Sequence, residues 1–458
     1  MNTWRWMAVA AAVTTVAAGA GAWVRSSHGA RLTGDEPQYV LTAISLAEDR
    51  SLDISDELAA ERWRPFHERA QLPEQTELQA DGRRVSPHDP LLPAILAAPV
   101  ALGGWLGARL TMAAVAGLLA AALVWVAIRR LGLRPPVAVL GTVAFTTAPP
   151  LASYGAQVYP ELPAAAVVVL GFAAVTAPSA RRAAVGVVAV ASVRPWLSVK
   201  YAPVAAALAA VAAWRLWRAG DRRAVAGLVT ALGAAAAVFA VLHLAWYGGL
   251  TPYAAGDHFT GGELTVAGRH PDVLGRSRRL VGLLVDREFG LVAWQPAWLL
   301  APVALGALAR RRPRWWPAVA LPLVTGWLTA TFVALTMHGW WFPGRQVVVV
   351  LPLAVLAVAW WAGRSRLGVP ALVGALAVGL SVHAWLVVEG TVDHAPWAVD
   401  LHRTLHPLHR VVRAVLPDEA APAWPDEVLH LCWIAAVTAL AVAGWRTALD
   451  RSPMEVRT

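Results

Sequence analysis

Apolar runs recur along the whole chain, separated by short polar connections that carry arginine. A hydrocarbon core about 30 Å thick requires roughly 17 to 25 apolar residues of a helix that crosses it. On that criterion the pattern predicts spans near 4–24, 105–128, 136–153, 160–178, 183–195, 197–214, 224–247, 290–309, 316–337, 346–362, 369–388 and 428–445. The third and fifth are short, so the expected number is about 12. Three intervening stretches, 25–104, 248–289 and 389–427, are polar and long enough to be structured. The first ends in SPHDPLLPAILAAPVALGG, whose apolar part is too short and too rich in proline to span, and predicts an interfacial or re-entrant helix.

Composition supports this pattern. Of 458 residues, 57% are hydrophobic and only 15% charged, which argues against a soluble protein. The expected fold is all-α, a polytopic transmembrane bundle in a single membrane domain, 1–458, with juxtamembrane helices in the long loops. Lys and Arg number 39 against 29 acids, and in a membrane protein such an excess records orientation, so no nucleic-acid partner is expected. With the N-terminus inside, the clusters Arg129–Arg130–Arg134, Arg181–Arg182, Arg215 to Arg223, Arg310 to Arg314 and Arg364–Arg366 all fall on the cytoplasmic side. Asp221, Asp450 and Glu455 are the acids on that side. Both termini are therefore expected in the cytoplasm and the three long loops outside. A cleavable signal peptide is the alternative for the first segment, because AAGAGA at residues 17–22 offers small residues and Arg5 a weak basic start, but its apolar span exceeds a typical signal core. The lone Cys432 excludes an intrachain disulfide.

Against this background the ionisable residues on the outer side stand out. In TGDEPQYVLTAISL, Asp35 is a good helix N-cap, Gln38 completes a capping-box pattern, and Val40, Ala43, Ile44 and Ala47 recur at helical spacing. A short amphipathic helix lying on the membrane surface is expected there. Capping accounts for Asp35 but not for Glu36 beside it. A carboxylate at a helix N-terminus stays ionised and can accept a proton from a hydroxyl, so both are candidate catalytic residues. His88 and Asp89 before the Pro-rich helix, and Glu161 at the mouth of a span, are candidates for a second acid or base. The structural alternatives are a capping pair and a headgroup-level glutamate.

Four cations lie at the outer ends of different spans against the positive-inside trend: Arg194, Lys200, Arg287 and Arg345, with Lys200 the chain's single lysine. Any one of them can be a snorkelling side chain. Together they point to an anionic ligand such as a phosphate. Trp196, Trp294, Trp340 and Trp341 accompany them, more as belt residues than as sugar-stacking walls. The chain has no Walker loop, GxGxxG, CxxC or HExxH, so nucleotide hydrolysis, dinucleotide redox chemistry and zinc proteolysis lack support. No metal set is predicted; His402, His406 and His409 are helically spaced but read as a solvated face.

In order and position these motifs resemble the GT-C superfamily of polytopic glycosyltransferases, which includes protein O-mannosyltransferases and lipid A aminoarabinose transferases. An N-terminal span is followed by the acidic motif GDEPQY, then a long loop closing on HDPLLP, and a span ending in Arg129 and Arg130. Downstream, VYPELP, DREFGLVAWQP and GRQVVVVLPL look like later loop motifs of bacterial members. The resemblance implies Asp35 as catalytic base with Glu36 its neighbour or alternate. Where members carry a glutamate-lysine pair as the second acidic position, this chain has His88 and Asp89. It further implies an inverting transferase of hexosyl or pentosyl type, in the plasma membrane and acting on its outer face. The sugar would pass from a polyprenyl-phosphate donor to an extracytoplasmic glycan, lipid or protein. A divalent metal is possible but one DE pair is not a convincing site, and no other cofactor is implied. The rival class is a twelve-span transporter or flippase. That class usually shows repeated halves and short loops, and neither is visible here.

Overall fold

The computed structural model describes residues 3–256, 263, 268, 270–398 and 400–447. Part of the 248–289 loop and the tail carrying Asp450 and Glu455 lie outside the described residues. Among the described residues the chain is helical, with β-pairing limited to isolated bridges in the loops, such as Asp53 with Val85 and Thr76 with Gly256.

Each of the twelve apolar segments coincides with a helix. Among the described residues seven helices are long and apolar enough to cross a membrane: Thr3–Trp23, Leu91–Arg129, Val199–Arg218, Arg222–Ala255, Trp316–Val333, Gly368–Thr391 and Trp424–Thr447. The other segments hold the shorter helices Pro135–Thr146, Glu161–Val175, Ala180–Val193, Leu300–Arg311 and Leu351–Ala362. Two segments are shorter than their hydropathy suggests because proline interrupts them. The third stops at Thr146, ahead of Pro149 and Pro150, and the eighth breaks at Gln295–Pro296, since proline removes a backbone donor and restricts its predecessor.

Apolar surface left outside the bundle marks the lipid-facing side. Along Arg222–Tyr247 only Leu228, His243 and Tyr247 are buried, while Val229, Val238, Val241 and Leu244 are exposed. A helix this apolar with so little protein cover requires hydrocarbon around it. Asp221 starts it by accepting from the Ala224 N–H at 3.1 Å, and Gly248 in the left-handed conformation ends it.

The first long loop is the part that builds the site. Helix Glu36–Glu48 forms where the sequence predicts, but nine of its thirteen residues are buried. It therefore differs from a helix resting on a surface by one face. Tyr39, Val40, Leu41 and Ala43 share a core with Trp63 and Phe66 of the same loop and with Leu92, Leu96 and Val100 of the Pro-rich segment. The expected juxtamembrane helix is the first part of Leu91–Arg129, which bends at Gly104, where φ of 57° and ψ of −148° leave the helical region. The bend separates the 91–103 segment from the span that follows.

Candidate active site

The turn into helix Glu36–Glu48 sends two adjacent carboxylates in different directions. Gly34 has a φ of +61°, and a side chain there would meet the Trp340 carbonyl oxygen at 2.8 Å and the Tyr159 hydroxyl at 2.9 Å. Glycine is thus required on both counts. Pro37 follows in the first turn, where a missing N–H costs nothing. Asp35 occupies the N-cap position but makes no capping hydrogen bond, which corrects the capping-box expectation. Its Oδ2 instead accepts from the Arg345 guanidinium, a charged donor that outcompetes a backbone N–H.

Glu36 turns inward and is fully buried. It accepts from the Ser26 hydroxyl at 2.6 Å, the Thr33 N–H at 3.2 Å and the Val158 N–H at 2.9 Å, with the Arg109 guanidinium 3.7 Å away. Arg109 in turn donates to the carbonyls of Ala22, Val24 and Arg31. Glu36 thereby ties the end of the first span to the motif loop and to the segment before Glu161.

A cavity of about 180 Å³ opens in front of Asp35, lined also by His88, Asp89, Lys200 and Arg345 together with Tyr39, Gln75, Ser198 and Tyr253. The Arg345 Nε donates to Glu161 Oε1 at 2.9 Å, and the Lys200 Nζ donates to that same oxygen at 2.6 Å. Arg345 lies against the rings of Tyr159 and Trp341, 4.3 and 4.8 Å from their centroids. One guanidinium therefore bridges Asp35 and Glu161, residues from two distant parts of the chain, and its planar fork permits this where an ammonium would not. Burial alone would raise the Asp35 pKa, but Arg345, His88 and Lys200 outweigh it and hold the carboxyl below the usual range. Asp35 is an anion at neutral pH.

Opposite it, His88 stacks on Tyr39 with centroids 4.6 Å apart and contacts Gln75 Oε1 through Nε2 at 3.2 Å. Burial pushes its pKa down to about 4 despite the nearby Asp35. Asp89 accepts from the Val199 N–H at 2.9 Å and faces His243 Nε2 at 3.1 Å. Because the Phe239 carbonyl can only accept, His243 Nδ1, 2.9 Å from it, is the donor there. The link from Nε2 to Asp89 then requires a proton, held by the imidazolium or by the carboxyl. Burial raises the Asp89 pKa.

The structure thus brings together Asp35, His88, Asp89, Glu161, Lys200 and Arg345. Two further candidates lie elsewhere. Arg287 donates to Asp426 and to the Leu416 carbonyl and does not line the cavity. Arg194 is fully buried, with its guanidinium 5.9 Å from the Tyr201 ring centroid, and also lies off the cavity lining. Of the tryptophans, Trp341 touches the cluster through Arg345, Trp196 packs on Phe239 and His243, Trp294 stacks on His409 at 4.0 Å, and Trp340 is exposed. His406 and His409 are buried, against the expected solvated face, because His409 Nδ1 bonds the Ala293 carbonyl and His406 bonds Ser381. Sequence reasoning left out His243, Tyr39, Gln75, Ser198 and Tyr253. His243, a lone ionisable group in an apolar span, carried the signal that would have identified it.

No protein-family model matches the sequence, and no curated protein does. The fold does match a solved structure, that of ArnT from Cupriavidus metallidurans bound to undecaprenyl phosphate. The match covers 97% of this chain and 77% of that one, with a TM-score of 0.50 and 16% sequence identity. The likeness is one of fold: an all-α bundle, as expected from the sequence, whose described residues include seven helices long and apolar enough to cross a membrane.

Proposed function

We propose that the chain is an inverting glycosyltransferase that takes a sugar from a polyprenyl-phosphate donor. One observation carries this reading. In a single cavity, a carboxylate held as an anion, Asp35, stands beside two cations, Arg345 and Lys200, in a fold that ArnT uses while bound to a polyprenyl phosphate.

In the proposed reaction the polyprenyl tail stays in the bilayer and its phosphate meets Lys200 and Arg345. They stabilise the leaving phosphate as the glycosidic bond breaks. Asp35 takes the proton of the acceptor hydroxyl as its oxygen attacks the anomeric carbon from the opposite side. The transition state is oxocarbenium-like, and one displacement inverts the configuration without a covalent enzyme intermediate. A carboxylate held below its usual pKa is a weak base, and the bridging arginine supplies the remedy. Phosphate drawing Arg345 away from Asp35 raises the basicity of Asp35 when the donor is in place. Glu161 keeps Lys200 and Arg345 oriented.

The positive-inside distribution of arginines supports a cavity on the outer face of the plasma membrane and both termini in the cytoplasm, and the proposed acceptor is a glycan, lipid or protein of the cell envelope. The test is purified protein supplied with a panel of polyprenyl-phosphate hexoses and pentoses and scored for transfer with inversion. Uptake of substrate into proteoliposomes, with no transfer from any donor, would replace this reading with a transporter.

A further inference from the structure

We infer that His243 is a positioning residue, which acts through Asp89 to fix the backbone that carries Lys200. The inference rests on the proposed role of Lys200 as a ligand of the donor phosphate, and it assigns a task to an imidazole at the outer end of an apolar span.

Lys200 sits in the short turn Val199–Tyr201, whose N-cap residue Ser198 makes no side-chain capping bond. The Val199 N–H is left for another acceptor, and Asp89, 110 residues earlier in the chain, takes it with Oδ2 at 2.9 Å. The other oxygen, Oδ1, meets His243 Nε2 at 3.1 Å, and the Asp89 side chain is only 2% accessible. Both oxygens are thus partnered. That arrangement suits a strut between two elements better than the second acid or base expected from the place of Asp89 in the sequence.

His243 is itself held from several sides. Its Nδ1 donates to the Phe239 carbonyl at 2.9 Å, and its ring stacks on Phe239 and Tyr247 with centroids 3.7 and 5.1 Å away. Trp196, from the segment that leads to Lys200, packs on it at 5.3 Å. Tyr247 adds a second tie, its hydroxyl donating to the His88 carbonyl at 3.0 Å. Helix Arg222–Tyr247, otherwise surrounded by hydrocarbon, therefore sends both of its buried polar side chains to His88 and Asp89. An imidazole buried in an apolar span is costly and marks a functional group by default.

A lysine needs such support more than an arginine, because its ammonium rides on a flexible four-carbon stem. Glu161 restrains the tip at 2.6 Å, and Asp89 restrains the main chain. When phosphate draws the ammonium from Glu161, the main-chain anchor is what still sets its place. A shift of about 1 Å in such a group can cost about 10²-fold in rate.

Lys200 is the single lysine, so full-length protein in nanodiscs, grown with lysine carrying ¹³C at Cε, gives one lysine resonance. His243→Asn keeps a donor for the Phe239 carbonyl but is too short to reach Asp89, whereas His243→Gln places an amide near the position of Nε2. The resonance should move towards that of an exposed lysine in His243→Asn and in Asp89→Ala, and stay in place in His243→Gln. It should also stay in Leu228→Ala, which loosens the same helix at its other buried position. With a donor that the wild type turns over, kcat/KM should fall by about 10²-fold in His243→Asn and recover to within about fivefold in His243→Gln. An unmoved resonance in folded His243→Asn or Asp89→Ala would overturn the proposal. So would an equal displacement in His243→Gln or in Leu228→Ala. Wild-type protein that transfers from no donor would instead remove the transferase reading, and the resonance would still decide whether His243 holds Lys200.

Discussion

Arg345 and Arg287 carry the same sequence signature, an arginine at the end of an apolar segment against the charge trend, yet they occupy different environments. Arg345 bridges Asp35 and Glu161 at the wall of a cavity and shares Glu161 with Lys200. Arg287 is spent within its own neighbourhood, on Asp426 and the Leu416 carbonyl, with Asp418 3.9 Å away. Asp35 and Glu36 repeat the lesson at adjacent positions. One meets a cation beside open space, and the other is enclosed by donors from three segments. Charge alone does not separate these residues; access to a cavity next to a balancing charge does.

Substitutions can break this contrast. The largest effect short of Asp35 itself is expected from Arg345→Lys, which keeps the charge but loses the fork. Transfer should fall by about 10²-fold, mostly in kcat. A variant with near-normal turnover would remove Arg345 from phosphate stabilisation. Glu36→Gln should act on stability, by about 3 kcal/mol, because it leaves the buried Arg109 without a counter-charge. Urea or thermal unfolding reads that loss, and a larger effect on turnover than Asp35→Asn gives would reverse the assignments of the two acids.

Arg287→Gln breaks a partly exposed pair and should cost about 1 kcal/mol, leaving donor affinity within about twofold. A large drop in affinity would bring Arg287 back as a phosphate ligand. The smallest effect concerns pH. His88 is neutral in the fold, with a pKa of about 4 against 6.5 unfolded, so the unfolded chain binds the proton first. Stability should therefore decline as pH falls from 6.5 towards 4. Screening by the open cavity limits the loss to about 1 kcal/mol. His88→Gln should flatten that part of the profile.

Much of this was legible in the chain. All twelve apolar segments are helical, and the Pro-rich segment bends away from its span at Gly104, because apolar length and glycine or proline placement are local properties. The motif loop, Glu161, Lys200 and Arg345 were each visible as ionisable groups at outer ends. Their pairing was not, since it depends on packing between positions up to 310 residues apart. For the same reason Arg287 looked equivalent to Arg345, His243 was passed over, and His406 and His409 looked solvated.

The central claim is that Asp35 is the base in a cavity whose cations hold the donor phosphate. Its most direct test compares wild-type protein with Asp35→Asn for donor binding and for sugar transfer under single-turnover conditions. The account predicts binding within about threefold and transfer reduced by about 10³-fold, within the range for loss of a general base. Transfer by Asp35→Asn at the wild-type rate would contradict it.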